Sequence, residues 1–488
     1  MERALRLYEQ QRFDEAEAFA AEALAADPRR ADSEILLGLI STRRSQFSEA
    51  EKHFLRAVTL QPENYRAHAY LGATYLQQKR MKEAAAAFRR VLELNPDNAV
   101  ANYNLGLVDL AQRSPEQALG RFENVLRGDP SDVAALSGVL ECQLWLKRSA
   151  AARASAQNLA KLLPDSDPRL FRAASLLAQY GESEAAIPMM ERVRRVHPES
   201  FDVNYNFSLA LLETGKADQA AAVLQPFTGP QGPAEAFDLL GQIEEKRVRP
   251  EAAESAFHEA AQRDFSNEDY LFDYGNALLQ HGKVGPATDL FRAAVSTRAG
   301  SWKLRLGLGS ACYLSGDYPG SVEALLEAVR IKPDSASAYF LLGEAYDSAG
   351  NRKPAIEAAL DRYLKSAPSD PWAYYHHGVI LRSERPNDTS EAADAFRKAI
   401  RLNPNFAEAY LQLGILELDQ MKTAEAITDL EKAERLNPNL ATAHYRLGLA
   451  YKKTGDKRAE AELDQFRKLK DHEDYRLRVL ESLAAAGR

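Results

Sequence analysis

Apolar residues recur along this chain with a helical spacing set inside a longer period. Between residues 65 and 98, Leu71 and Tyr75 stand four apart, and Ala84, Phe88 and Val91 follow at 0, +4 and +7. Each spacing places its residues on one face of a helix. Asn95-Pro96-Asp97 stops the second helix, because proline cannot continue it and restricts the residue before it. Asn98 is then a favourable cap for the next helix. Gly72 and Ala84 are small, so the two helices can approach closely.

The same unit recurs along the chain. Pro28, Pro62, Pro96, Pro130, Pro164 and Pro198 are 34 residues apart, and Pro333, Pro368, Pro404 and Pro438 continue in steps of 35, 36 and 34. Gly38, Gly72 and Gly106 keep a step of 34, as do Gly241, Gly275, Gly309 and Gly343; Gly378, Gly414 and Gly448 follow. The glycine serves as a marker, and Ala4, Leu140, Ala174 and Ser208 stand at its other equivalents. The register closes on 14 units: 1–30, 31–64, 65–98, 99–132, 133–166, 167–200, 201–233, 234–267, 268–301, 302–335, 336–370, 371–406, 407–440 and 441–473. A fixed period of this length predicts an all-α solenoid of stacked antiparallel helix pairs.

Leu-Gly, a downstream Tyr, then Ala, Phe, Ala and Pro over 34 residues resembles the tetratricopeptide repeat family. The pattern recurs at Gly38, Ala50, Phe54, Ala57 and Pro62; at Gly106, Ala118, Phe122, Val125 and Pro130; and at Gly414, Ala426, Leu430, Ala433 and Pro438. The resemblance implies a right-handed superhelix. It also implies a concave groove lined by the first helix of each unit, in which peptides or helices lie. By position, the groove candidates are Tyr70, Asn104, Arg172, Asn206, Asp273, Asn276, His376 and Gln412, with Gln77, Trp145, Gln179, Glu213 and Gln280 further along the same helices. Two specialised members do not fit. The basic residues of the chaperone-binding members are missing: three before the marker stand Ile35, Ala69, Tyr103, Ser137, Phe171 and Tyr205, with no lysine. The asparagine ladder of the O-linked N-acetylglucosamine transferase superhelix is met only by Asn104 and Asn206.

Three places break the rhythm. Gln225-Pro226-Phe227-Thr228-Gly229-Pro230-Gln231-Gly232-Pro233 is too rich in proline and glycine for a helix. It is either a reshaped loop between repeats or a hinge at 226–233 dividing an N-terminal array, 1–233, from a C-terminal array, 234–473. Ser383 to Thr389 adds two residues to the twelfth unit as a polar loop. Pro188 lies inside a second helix, where a kink is expected. Residues 474–488, with Tyr475, Leu480 and Leu483 among charges, read as a capping helix over the last interface. Met1 falls at the fifth position of a repeat. The start is thus either short by a turn, or preceded in the natural protein by residues that could carry a signal or anchor; the first leaves a cytoplasmic default, the second a periplasmic placement.

Composition narrows the chemistry. With 488 residues, 27% charged, a net charge of −8 and a mean hydropathy of −0.42, the chain is a folded one. It contains no apolar run of membrane-spanning length. The acidic balance, without a basic groove or a recurring base-reading set, argues against nucleic acid. Two cysteines exclude a disulfide scaffold and a multi-cysteine metal site. Cys142 and Cys312, five units apart, are expected as buried free thiols. His376 and His377 point about 100° apart and do not chelate one ion; His377 is expected in the core and His376 in the groove. Trp302 and Trp372, near helix starts, suit packing between repeats. Gly307-Leu308-Gly309 falls within a helix, so its amides cannot cradle phosphate. No catalytic, cofactor or metal motif appears. The reading is a non-catalytic scaffold that binds a peptide or protein segment. Alternatives are the regulatory arm of an enzyme complex such as a glycosyltransferase, and a bacterial envelope or secretion assembly factor.

Overall fold

The computed structural model describes residues 1–469 together with Leu480 and Leu483. Among the described residues all regular structure is helical, and within residues 1–224 and again from residue 234 onward each helix packs on the next along the chain. The third unit is Tyr65–Gln77 followed by Met81–Leu94, and the fourth is Ala99–Ala111 followed by Pro115–Gly128. The helices start where their caps stand. Asn64, Asn98, Asp132, Asp167, Ser200, Asn267, Ser301 and Asp370 each accept a backbone N–H of the first turn.

Two devices recur among the pairs. In most of them the turn between the helices places one residue in the left-handed region, which favours glycine. Gly181, Gly215, Gly282, Gly316 and Gly455 fill it, while Ser45, Lys79, Arg113, Lys147, Val248 and Met421 accept it with a side chain. Val248 is β-branched and holds φ at 57°, a strained choice. The second device is the marker. A Cβ at Gly38, Gly72, Gly106, Gly241 or Gly378 would stand 2.6–2.9 Å from the ring of Phe54, Phe88, Phe122, Phe257 or Phe396, respectively. Only glycine lets these rings lie flat against the first helix.

The chain divides into two compact units, Met1–Leu224 and a second beginning at Gln225. The seventh second helix, Ala217–Leu224, has only eight residues, and the 3-10 turn Gln225–Phe227 follows. Within the second unit, Arg263 donates to the carbonyls of Pro230 (3.1 Å) and Gly232 (2.9 Å), which pins the loop. The helix Ser183–Val196 runs unbroken through Pro188. The eleventh unit departs from the expected pattern: its first helix, Ala336–Glu344, stops early and passes into 3-10 turns at Tyr346–Ser348 and Gly350–Arg352. There Tyr346, 1% exposed, donates its hydroxyl to Glu357 at 2.6 Å. Of the expected capping segment, 474–488, only Leu480 and Leu483 lie among the described residues. Leu483 is fully buried in the hydrophobic cluster built from residues 234–380, and Leu480 packs against that cluster. The cluster of the last repeats, from Leu411 to Tyr451, contains neither.

Candidate functional site

In the first unit the candidates fall in rows on successive first helices. Tyr70, Asn104, Arg172 and Asn206 lie mid-helix, and Gln77, Trp145, Gln179 and Glu213 are each the last residue of a first helix. All eight are half-exposed or exposed. Tyr70 stacks on Phe54 with ring centroids 5.5 Å apart. Asn104 donates to the Val100 carbonyl and Asn206 to the Asp202 carbonyl, both at 2.8 Å. Each amide uses its nitrogen in that bond, and its oxygen takes no part in it. Glu213 accepts from the Ser183 hydroxyl. Gln77 closes a cleft of about 420 Å³ whose other walls are Tyr8, Leu39, Thr42, Arg43 and Phe47. Its lining mixes apolar side chains with an amide, a guanidinium and two hydroxyls.

The second unit differs. Asp273 and Asn276 are half-buried on Glu268–Gln280, and Gln280 is exposed at its end. Gln412 is half-buried and accepts from Arg382 at 2.5 Å. His376 corrects the expectation of a groove contact: it is 2% exposed. Its ring lies where a Cβ of Gly343 would stand, stacked on Trp372 at 5.8 Å and edge-on to Phe340 and Tyr375. The pair Gly343 and Ala359 is small on both sides, and the imidazole of the next repeat fills the space. His377, expected in the core, is only half-buried. Trp372 packs between repeats, against Phe340 and Phe406.

An acidic group around Asp273 lies outside the positions chosen from sequence. Asp238 is 8% exposed; its Oδ2 accepts from Gln242 at 2.9 Å, and its buried Oδ1 has no hydrogen-bond partner. Asp269 pairs with Lys303 at 2.5 Å. Burial, reinforced by Asp238, Asp269 and Glu245 and opposed by Lys303, pushes the Asp273 carboxyl up to about 8. Burial likewise pushes Asp238 up to about 6, and it raises Glu245. The signal in the sequence was four acids on two consecutive first helices. A raised folded-state carboxyl binds protons that the unfolded chain has already lost, so its stabilising effect fades as pH rises. The second unit is therefore expected to lose thermal stability from about pH 4 towards pH 8. Asp273→Asn is expected to flatten that slope in melts taken across the range; an unchanged slope would show that Asp273 is not its source.

Other polar groups are structural. Glu34, 1% exposed, is met by His53 at 2.7 Å and Arg56 at 3.0 Å. Cys142 and Cys312 are buried and free; burial pushes their thiols up to about 12 and about 11, which makes them poor nucleophiles. No group of His, Cys, Asp and Glu among the described residues could hold a metal ion. No helix among them is long and apolar enough to cross a membrane.

Family models described as tetratricopeptide repeat match residues 1–60, 36–99, 103–167, 171–233 and 239–303, and residues 395–428; a further one, described as TPR repeat, matches 309–350 and 416–455. Among curated proteins, the chain is similar to the protein O-mannosyl-transferase TMTC1 of Homo sapiens, 25% identical over 148 residues, which is 30% of this chain and 16% of that protein. The match thus spans about a sixth of that relative's length. Among solved structures it is similar to a tetratricopeptide repeat protein from Parabacteroides merdae (17% identity, TM-score 0.36, 50% of this chain and 97% of that one). It is also similar to yeast Tom70 (16% identity, TM-score 0.35, 93% of this chain and 95% of that one).

Proposed function

The chain belongs to the tetratricopeptide repeat family, and from that premise we propose that it is a non-catalytic scaffold which binds a peptide-like segment of a protein partner along the first helices of its first unit. The observation that carries this reading is the contrast between positions. The apolar residues of the repeat are buried between helices, whereas Tyr70, Asn104, Trp145, Arg172 and Asn206 stay accessible in register on one helix set. Aromatic and arginine anchors flanked by amides are the residue types that dominate protein recognition. A photo-crosslinking residue placed at Asn104 or Arg172 is expected to capture a partner, and the same residue at Gln117, on a second helix, is not. Once the partner is in hand, Trp145→Ala is expected to weaken it about tenfold or more, with Asn206→Ala as the check on specificity. Equal capture from both helix sets, or substrate turnover by the purified chain, would overturn the reading. The similarity to an O-mannosyl-transferase favours a second reading, a recruiting arm for a glycosyltransferase on another polypeptide, which co-purifying transferase activity would support.

A further inference from the structure

The first helices of the eighth and ninth repeats carry acids where packing does not ask for them. On Ala234–Lys246, Asp238, Gln242 and Glu245 stand at 0, +4 and +7 and share one face. At the same positions relative to the marker, the fourth repeat has Tyr103, Leu107 and Leu110, and the seventh has Tyr205, Leu209 and Leu212. On the next first helix, Glu268–Gln280, the residues Asp269, Asp273 and Asn276 share a face by the same spacing. The two faces act on each other. Repulsion from Asp238, Asp269 and Glu245 reaches Asp273, and repulsion from Asp269 reaches Asp238. Two lysines stand against these acids. Lys303, on Trp302–Ser315, is held by Asp269 at 2.5 Å, and Lys246 partly offsets its neighbour Glu245. Asp238 is 8% exposed, and its Oδ1 has no hydrogen-bond partner; nor has the buried Oδ1 of Asn276. An unpaired buried carboxylate oxygen is costly, and the repeat pattern gives no reason to keep one. Burial together with the mutual repulsion holds the Asp273 and Asp238 carboxyls above the usual range. An incoming cation relieves the repulsion and supplies donors to the orphaned oxygens. Among the described residues no group of His, Cys, Asp and Glu could hold a metal ion, so these acceptors are too spread for one small ion. They suit a cation that divides its charge among several donors. A guanidinium does so: it is planar, permanently charged, and carries its N–H donors in a fixed fork.

We propose that Asp238, Glu245, Asp273 and Asn276 form a subsite on the first helices of the eighth and ninth repeats that takes the guanidinium of an arginine in an extended segment of a protein partner. Charge complementarity selects this occupant, and charge-assisted hydrogen bonds to the carboxylates hold it. The inference rests on the scaffold reading and extends it to the second unit. Its probe is not the partner sought by crosslinking at Asn104 or Arg172, so the failure of either test is told apart from the failure of the other.

The test titrates a blocked tripeptide, acetyl-Gly-Arg-Gly-amide, onto the full-length chain and follows binding by saturation-transfer NMR. A second peptide replaces the arginine by citrulline, which keeps the shape and loses the charge. The wild-type chain is expected to bind the arginine peptide at least about tenfold more tightly than the citrulline peptide. Asp273→Asn and Asp238→Asn keep the side-chain shape. Each is expected to weaken the arginine peptide about tenfold and to leave the citrulline peptide unchanged. Glu251→Gln removes an exposed acid from a second helix and is expected to change neither. Equal binding of the two peptides by the wild-type chain would overturn the proposal, and that comparison needs no variant to fold. A preference for arginine that survives both asparagine changes would overturn it as well, because the guanidinium would then sit elsewhere.

Discussion

Replacing Phe122 by alanine is expected to cost about 3–5 kcal/mol and to loosen two repeats, not the whole chain. The ring is fully buried. On one side it lies against Gly106, where a Cβ would come within 2.8 Å, and on the other against Gly138 of the next repeat, within 2.7 Å. Tyr103 stands 5.7 Å away, centroid to centroid. The two positions that face the ring most closely are glycines, which bring no side chain to fill the space. The void therefore persists, and a persistent void is what makes large-to-small changes costly. Phe122 belongs to a small cluster with Ala118, Leu119, Val125, Ala135, Val139 and Cys142. In a stack where each repeat touches only its neighbours, the loss stays near its source. Hydrogen exchange should rise across residues 99–145 and remain at wild-type values in residues 407–454. A uniform rise along the chain would show a single cooperative unit in place of a linear one.

How far the chain was legible depended on whether a feature repeats. Helix pairs, their caps at 34-residue steps and the close contact at the marker glycine could all be read, because each is stated many times and errors cancel. The left-handed turn position was written in glycine at Gly181, Gly215 and Gly282 but hidden elsewhere under serine, lysine, arginine and valine. The interrupted first helix of the eleventh unit left no signal, since Ala336 to Ser348 has the composition of its counterparts. His376 was expected in the groove and is buried, because helical phase alone fixes a side chain's direction, not what the adjoining repeat leaves empty. Asp238 stood one residue outside the positions chosen for the groove. The burial of Phe272, Leu306 and Leu483 in one cluster joins residues far apart in sequence, and no period records such a contact. The first-unit candidates needed only the register, so their accessibility is as the pattern implied; what they bind is a separate matter that a binding experiment decides.

The marker contact also obeys a volume rule that a swap can test. In most units the partner on the second helix stands sixteen residues after the marker; Phe396 stands eighteen after Gly378 and Leu463 fifteen after Gly448. Where the marker is glycine, that partner is phenylalanine, as in Gly72 and Phe88, or leucine, as in Gly309 and Leu325; at Gly343 it is the small Ala359, and His376 of the next repeat fills the space instead. Ala174 is matched by Met190 and Ser208 by Leu224, all four fully buried. In the fifth unit the order is inverted: Leu140 is 1% exposed, and Ala156 at its partner position is 2% exposed. Across these pairs the summed volume of the contact is kept while either side chain varies. Leu140→Gly alone is expected to cost about 4–6 kcal/mol, from the lost side chain and its void together with a glycine inside a helix. Ala156→Phe alone would force a ring against Leu140 and cost about 1–3 kcal/mol. The double variant rebuilds the glycine–phenylalanine pair of Gly106 and Phe122 one repeat later. Its cost in urea unfolding should fall short of the sum of the single changes by about 2–3 kcal/mol, the coupling expected of residues in direct contact. Strict additivity would mean that Leu140 and Ala156 do not share one space, and that the inverted repeat packs by a different rule from its neighbours.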